Sequence, residues 1–279
     1  MVKQGTLRFA QMVVQYIIGV FIFISIGSLP ILLKDLELDV AGYITSIKEL
    51  VVKIFKLSSL TYDGEHEMLP AIIDRYFFSL KTLSLSFVFA VILAFILSYI
   101  IVLFLKNKKD YILSFIEIIR TIPDIVGIFL LQSLFIWINK AYGVKLVQTV
   151  SLGSENQAFL LPLLSLSLPI FLFLIQVIVL KIFEELDKQY IAFAKAKGLS
   201  FLYLLNIHVI RNIQHDLLGH LKTIIWMMLS TLVIVEYIFN MDGLMMFNIK
   251  HISIELFVFS CILFFTPFFM IYRLIALRR

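Results

Sequence analysis

Six long apolar runs, separated by stretches rich in charge, dominate the chain. They extend roughly from Gln11 to Leu33, Phe77 to Leu105, Leu113 to Ile138, Phe159 to Ile182, Leu218 to Phe239 and Ile254 to Leu274. A helix needs about 20 apolar residues to cross the hydrocarbon core of a bilayer, and each run is long enough. The pattern predicts an all-α polytopic membrane protein with six transmembrane helices. The first run is too long for a signal-peptide core and lacks a small-residue cleavage site, so it reads as a retained span.

Two connections are long. Residues 34–76 are acidic and contain "TSIKELVVKIFKL", where Ile47, Leu50, Val51, Ile54 and Leu57 recur at helical spacing and Lys48, Lys53 and Lys56 fall elsewhere. That spacing predicts a helix lying on the outer membrane surface or packed over the spans. Such a helix serves either as a structural cap or as a docking site for an extracellular partner. Residues 183–217 form the other connection. Asp187 reads as the N-cap of a short helix through Lys197, and Gly198 stops it, because glycine readily takes the left-handed conformation that ends a helix. Beyond the turn, Phe201, Leu204, Leu205 and His208 fall at i, i+3, i+4 and i+7, which predicts a second amphipathic helix. Ala192, Ala194 and Ala196 leave the first helix thin on one side, open to close approach by another surface.

Composition supports the membrane reading: 61% of residues are hydrophobic and 15% charged, with a mean hydropathy of +1.00. A soluble surface needs more charge than this. The formal charge of +5 reflects basic residues gathered on one side of the membrane, and no basic-aromatic patch points to nucleic acid. With the N-terminus inside, the inner segments hold Lys3 and Arg8; Lys106, Lys108, Lys109 and Arg120; Lys181, Lys188, Lys195, Lys197 and Arg211; and Arg273, Arg278 and Arg279. The outer segments hold fewer: Lys34, Lys48, Lys53, Lys56, Arg75, Lys140, Lys145 and Lys250. Both termini are therefore expected in the cytoplasm, in keeping with an even number of spans.

Charged residues near span ends have competing readings. Glu117, Arg120 and Asp124, at i, i+3 and i+7, suit an ion-pair stripe along one helix. Pro123 kinks or begins the third span. Lys81 is expected to snorkel to the outer surface. Glu236, near the outer end of the fifth span, either lines a gate, touches a partner, or sits in water at headgroup level. The single cysteine, Cys261, permits no intrachain disulfide, and His208 and His215 have no third ligand nearby for a metal. No nucleophile–base constellation stands in or beside the spans, and no glycine loop with lysine and serine or threonine is present to cradle ATP phosphates.

"YIAFAKAKGLS" followed by "HVIRN" resembles the cytoplasmic EAA loop of permease subunits of binding-protein-dependent ABC importers, and more narrowly the dipeptide, oligopeptide and nickel branch. The matching residues are Tyr190, Ala194, Lys195, Ala196, Lys197, Gly198 and Leu199, then His208, Arg211 and Asn212. "VEYIFNMDGL" (235–244), "LLPLLSLSLPI" (160–170) and "IRTIPDIV" (119–126) resemble further stretches of that branch. The chain departs from it where Ala192 and Phe193 replace the glutamate-alanine opening. "IQHDLL" also stands where a proline is usual, and "GSLPILLKDLELD" where a glycine-aspartate-proline stretch is usual.

The resemblance implies a type I permease fold in a bacterial cytoplasmic membrane. Residues 1–76 would form the first span and an extracellular segment, and residues 77–279 a five-helix core. The chain would be non-enzymatic. It would pair with a second homologous permease, two ATPase subunits that bind ATP and magnesium, and an extracellular substrate-binding protein. Tyr190, Ala194, Lys195, Ala196, Lys197, Gly198 and Leu199 would form the coupling helix, and Glu236 would face the gate or the receptor. The cargo implied is a peptide or related small solute, with nickel or a metal chelate also open. The reading that competes from another class is a self-contained secondary transporter or channel. That reading needs charges near the bilayer midplane and often an internal repeat, and neither is evident.

Overall fold

A computed structural model describes residues 2–33, 38–56, 61–62, 66–105, 108–143, 147–153 and 157–277, without side chains at 2–8, 61–62, 66 and 274–277. Of the residues weighed above, Lys34, Leu57, Lys106, Lys145, Arg278 and Arg279 lie outside the described residues, as do the side chains of Lys3 and Arg8. Among the described residues the fold is helical, with one antiparallel pair of two-residue strands, β1 (Thr61–Tyr62) and β2 (His66–Glu67). Six helices among the described residues are long and apolar enough to cross a membrane, as the hydropathy pattern predicts. The chain groups into two compact units, Met1–Ser79 with Asp242–Arg279, and Leu80–Met241. The last span groups with the first in one unit.

In the first unit, α1 (Val2–Gly27) packs against α13 (Ile254–Leu277). Tyr16 bonds Thr266 through their hydroxyls at 2.8 Å and stacks on Phe265. Gly19 admits this approach, since a Cβ there would stand 2.5 Å from the Phe265 ring. A four-residue helix, α2 (Leu29–Leu32), leads to α3 (Val40–Phe55), which is capped by Asp39 accepting from Gly42 N at 2.8 Å. Leu50 packs with Ile24 and Val258, and Ile47, Val51 and Ile54 pack around them. Thus α3 is fastened onto α1 and α13, the second of the two expected placements. Lys53 pairs with Glu255 at 2.8 Å, and this bond holds the Lys53 pKa above its usual value. Arg75 pairs with Asp242 at 2.7 Å and lies over Phe247 of α12 (Leu244–Lys250).

In the second unit, α4 (Met68–Leu105) enters from the first and continues past Lys81, whose ammonium lies 5.4 Å from the Phe159 ring centre. The third apolar run is not one helix. It is divided into α5 (Lys109–Arg120) and α6 (Asp124–Tyr142) by a break at Thr121–Pro123, with Pro123 extended at the N-cap. Pro123 therefore begins the span. The expected Glu117–Arg120–Asp124 stripe does not form, because the break takes Asp124 off the helix carrying the other two. Arg120 instead bonds Gln176 and lies 5.3 Å from the Phe173 ring centre.

The centre of this unit is α7 (Leu160–Leu186). Of its membrane-crossing stretch 56% is buried, against 22% for α4, 11% for α6 and 33% for α11 (Leu221–Ile238). Helices α5, α6 and α11 pack against it. Gly127 of α6 permits close approach, since a Cβ there would meet Leu168 at 3.2 Å. Asn240 ends α11 at φ 47°, with Asn240 N donating to Tyr237 O and Met241 N to Glu236 O. This paired arrangement closes the helix's last free carbonyls. Ser151 ties the preceding loop to the same end: its N–H donates to Phe239 O, and its carbonyl accepts from Asn240 Nδ2.

Candidate functional site

The connection expected at 183–217 folds as helix, turn, helix. After α7 the chain turns at Asp187 and Lys188 into α8 (Gln189–Ala196). Asp187 is not its N-cap. It closes α7 in a helical conformation, Lys188 holds the cap position without a side-chain cap bond, and the Asp187 carboxylate accepts from Lys109 at 2.7 Å. A partner brought from α5 has outcompeted the local capping preference.

Gly198 ends α8 at φ 84°. Its N–H donates to Lys195 O at 2.9 Å and Leu199 N to Ala194 O at 3.3 Å, the paired bonds of a left-handed helix cap. A Cβ at Gly198 would meet nothing within 4 Å, so the backbone angle alone requires glycine. Ser200 then caps α9 (Phe201–Tyr203), which runs into a π-helical turn at Leu204–Val209 and on into α10 (Ile210–Gly219). The wider turn alters the expected face. Leu204, Leu205, Val209 and Ile213 are buried, while Phe201 and His208 are only half-buried. His208 stands between the rings of Tyr190 and Tyr203 at 6.3 and 6.0 Å.

One carboxylate gathers these pieces. Glu185, on the last turn of α7, is only 5% exposed. Its Oε1 accepts from the Tyr190 hydroxyl at 2.6 Å and from Asn212 Nδ2 at 3.0 Å, and its Oε2 from Lys188 at 2.5 Å. Asn212 Nδ2 also donates to the Tyr190 hydroxyl at 3.1 Å, closing a ring of three groups from α7, α8 and α10. Burial, then the neighbouring Glu185 carboxylate, push the Tyr190 phenol up to about 12, so it remains a donor at neutral pH. Lys181 donates to Glu184 at 2.7 Å and forms an ion pair with Asp216 at 3.9 Å.

The ring fixes one side of α8, where Ile191 is fully buried. The opposite side is open: Ala192, Phe193, Lys195, Ala196, Lys197 and Leu199 are exposed, Phe193 at 69%. Leu202, Tyr203 and Ile207 extend this exposed apolar surface. Tyr190, Ala194, Lys195, Ala196, Lys197, Gly198 and Leu199 thus lie on one short helix and its cap, as expected. Tyr190 faces partly inward, and the two lysines face out. Glu236 does not join them. It is fully buried in α11, so it is not a headgroup-level glutamate standing in water. Glu185 escaped the sequence reading, since "FEELDK" has the look of a solvated charge run; the Tyr190–Asn212 pair was its only signal.

A family model described as "Binding-protein-dependent transport system inner membrane component" matches residues 106–278, more than half of the chain. The match takes in α7, the whole site and α11. No curated protein matches the chain significantly. The chain belongs to the family of binding-protein-dependent transport system inner membrane components and is a multi-pass permease component of the ABC type, not itself a catalyst.

Proposed function

From that membership, we propose that the chain forms half of the translocation pathway of an ATP-driven importer and couples it to a cytoplasmic ATPase through α8. The observation that carries this reading is a helix held rigidly on one side and bare on the other. Exposed Phe193 and Leu199 flanking exposed Lys195 and Lys197 suit an apolar groove with an acidic rim. Tyr190, Ala194, Lys195, Ala196, Lys197, Gly198 and Leu199 form the coupling element, in which the Tyr190 hydroxyl holds the helix from its inner side and the lysines and Leu199 face the ATPase. Glu236, buried in α11, acts at the gate, and contact with a receptor would require it to become exposed. ATP and magnesium belong to two partner ATPase subunits, whose closure displaces α8 and biases the spans between two states. A second homologous permease completes the pathway in the bacterial cytoplasmic membrane. Both termini are cytoplasmic, and an extracellular binding protein delivers the cargo. The motif resemblance favours a peptide or related small solute, with nickel or a metal chelate as the alternative cargo.

Purification of the tagged chain with the products of its neighbouring genes, in mild detergent, tests the reading. An ATPase and a second membrane subunit should accompany it, and Gly198→Val should release the ATPase. A chain that purifies alone and is indifferent to Gly198→Val overturns the proposal.

A further inference from the structure

A carboxylate on the last turn of a helix opposes the helix dipole, and burying it adds a desolvation cost. Glu185 does both. Three donors from two other segments offset this, and each comes from the coupling region itself: Lys188, Tyr190 and Asn212. Only Asp187 and Lys188 separate α7 from α8. A two-residue joint is a hinge unless something bridges it. The hydroxyl–carboxylate–amide ring bridges it, and it holds α10 to the same point.

We infer that Glu185 is a positioning residue that fastens the coupling helix to α7, so that displacement of α8 moves the central span instead of being absorbed at Asp187–Lys188. The inference rests on the proposed coupling role of α8. The clamp and the contact surface are separate: Tyr190, Asn212 and Glu185 meet on the inner side of α8, while Phe193, Lys195 and Lys197 stand on the open side. Removing the clamp therefore leaves ATPase binding largely in place and breaks transmission. Tyr190→Phe is the sharpest probe. It deletes one hydroxyl and keeps the ring beside His208.

Hydrogen exchange on the chain in lipid nanodiscs, with its co-purified ATPase, reads both steps. Without nucleotide, Tyr190→Phe and Glu185→Ala should raise exchange of residues 189–197 roughly tenfold, as expected for losing a bond to a charged acceptor. Glu185→Gln keeps an acceptor for Tyr190 and Asn212 and should restore most of the protection. With MgATP and orthovanadate, the wild type should change exchange in both 189–197 and 181–186. Tyr190→Phe should change 189–197 alone, with the ATPase still bound. Equal responses in 181–186 for wild type and Tyr190→Phe overturn the inference, as does release of the ATPase by Tyr190→Phe. Unchanged nucleotide-free exchange in Glu185→Ala overturns it as well. A wild-type chain that brings no ATPase refutes the coupling role, and the nucleotide-free comparison then still decides whether the clamp exists.

Discussion

The segment around α8 and the C-terminal end of α11 are built from the same parts. Each helix ends in a left-handed residue with paired carbonyl bonds, Gly198 in one and Asn240 in the other. Each region holds a buried glutamate, Glu185 at 5% exposure and Glu236 at 0%. They differ in what surrounds these parts. At α11, Phe239 and Met241 on both sides of the cap are buried and the Ser151 loop is bonded to it. At α8, everything from Ala192 to Ser200 except Ala194 is exposed. The same cap closes an interior joint in one place and shapes a free surface in the other. Cap chemistry alone does not mark a coupling site; a cap on a helix anchored along one side only does.

The comparison is broken most directly at Glu185. Glu185→Ala takes from the Tyr190 hydroxyl its carboxylate acceptor and from Asn212 one of its two acceptors, and the expected cost is about 2–3 kcal/mol, because bonds to an ionised group are the stronger ones. Thermal unfolding in detergent checks this, and a variant as stable as wild type removes the clamp from the account. Next comes Gly198→Val. A β-branched residue in the left-handed region costs on the order of 2 kcal/mol, although space at Gly198 is open. The change should unwind the end of α8 and release the ATPase. Asn240→Val should cost a similar amount in stability and leave the ATPase bound, which co-purification and melting measured together distinguish.

Titration separates the regions more gently. In the folded chain the Tyr190 pKa is pushed up from 10.0 to about 12. The folded state thus holds the phenolic proton more tightly than the unfolded state does. The stability this contributes is complete below pH 10 and is lost as pH rises through 12. Protection of residues 189–197 should fall within that window in wild type, and Tyr190→Phe should lack the transition. A pH response identical in the two proteins contradicts the donor role of Tyr190.

What the sequence disclosed of these regions follows from the range of the forces involved. The spans were legible because a bilayer imposes length and apolarity on consecutive residues. Gly198 was legible because a helix stop is a local demand on φ. Pro123 was legible as the start of the third span, but the separate helix α5 before it was not, since the apolar run continues across the break and hydropathy is blind to a two-helix division. Asp187 was misassigned as a cap because Lys109, which claims its carboxylate, is far away in the chain. Glu185 was missed for a similar reason. Two of its donors, Lys188 and Tyr190, are near in sequence, yet burial is completed by α10, and the π-helical turn at Leu204–Val209 that sets α10's register has no sequence signature.

The smallest effect is the most discriminating. If the two caps differ only in their surroundings, their residues should be exchangeable. Gly198→Asn places in the left-handed region the one residue that already occupies it at 240, and open space around Gly198 accepts the side chain. The expected change is about 0.5 kcal/mol or less, with the ATPase still bound. Asn240→Gly keeps the backbone angle but forfeits the bond from Nδ2 to Ser151 O, 3.3 Å long. Its cost should be slightly larger and confined to exchange in the Ser151 loop. Gly198→Asn is measured by ATPase co-purification beside Gly198→Val. If asparagine releases the ATPase as valine does, the bare backbone at Gly198 is itself a contact surface, and the cap of α8 differs in kind from that of α11. If asparagine is tolerated, the angle alone is what the site requires, and the exposed side chains around it carry the recognition.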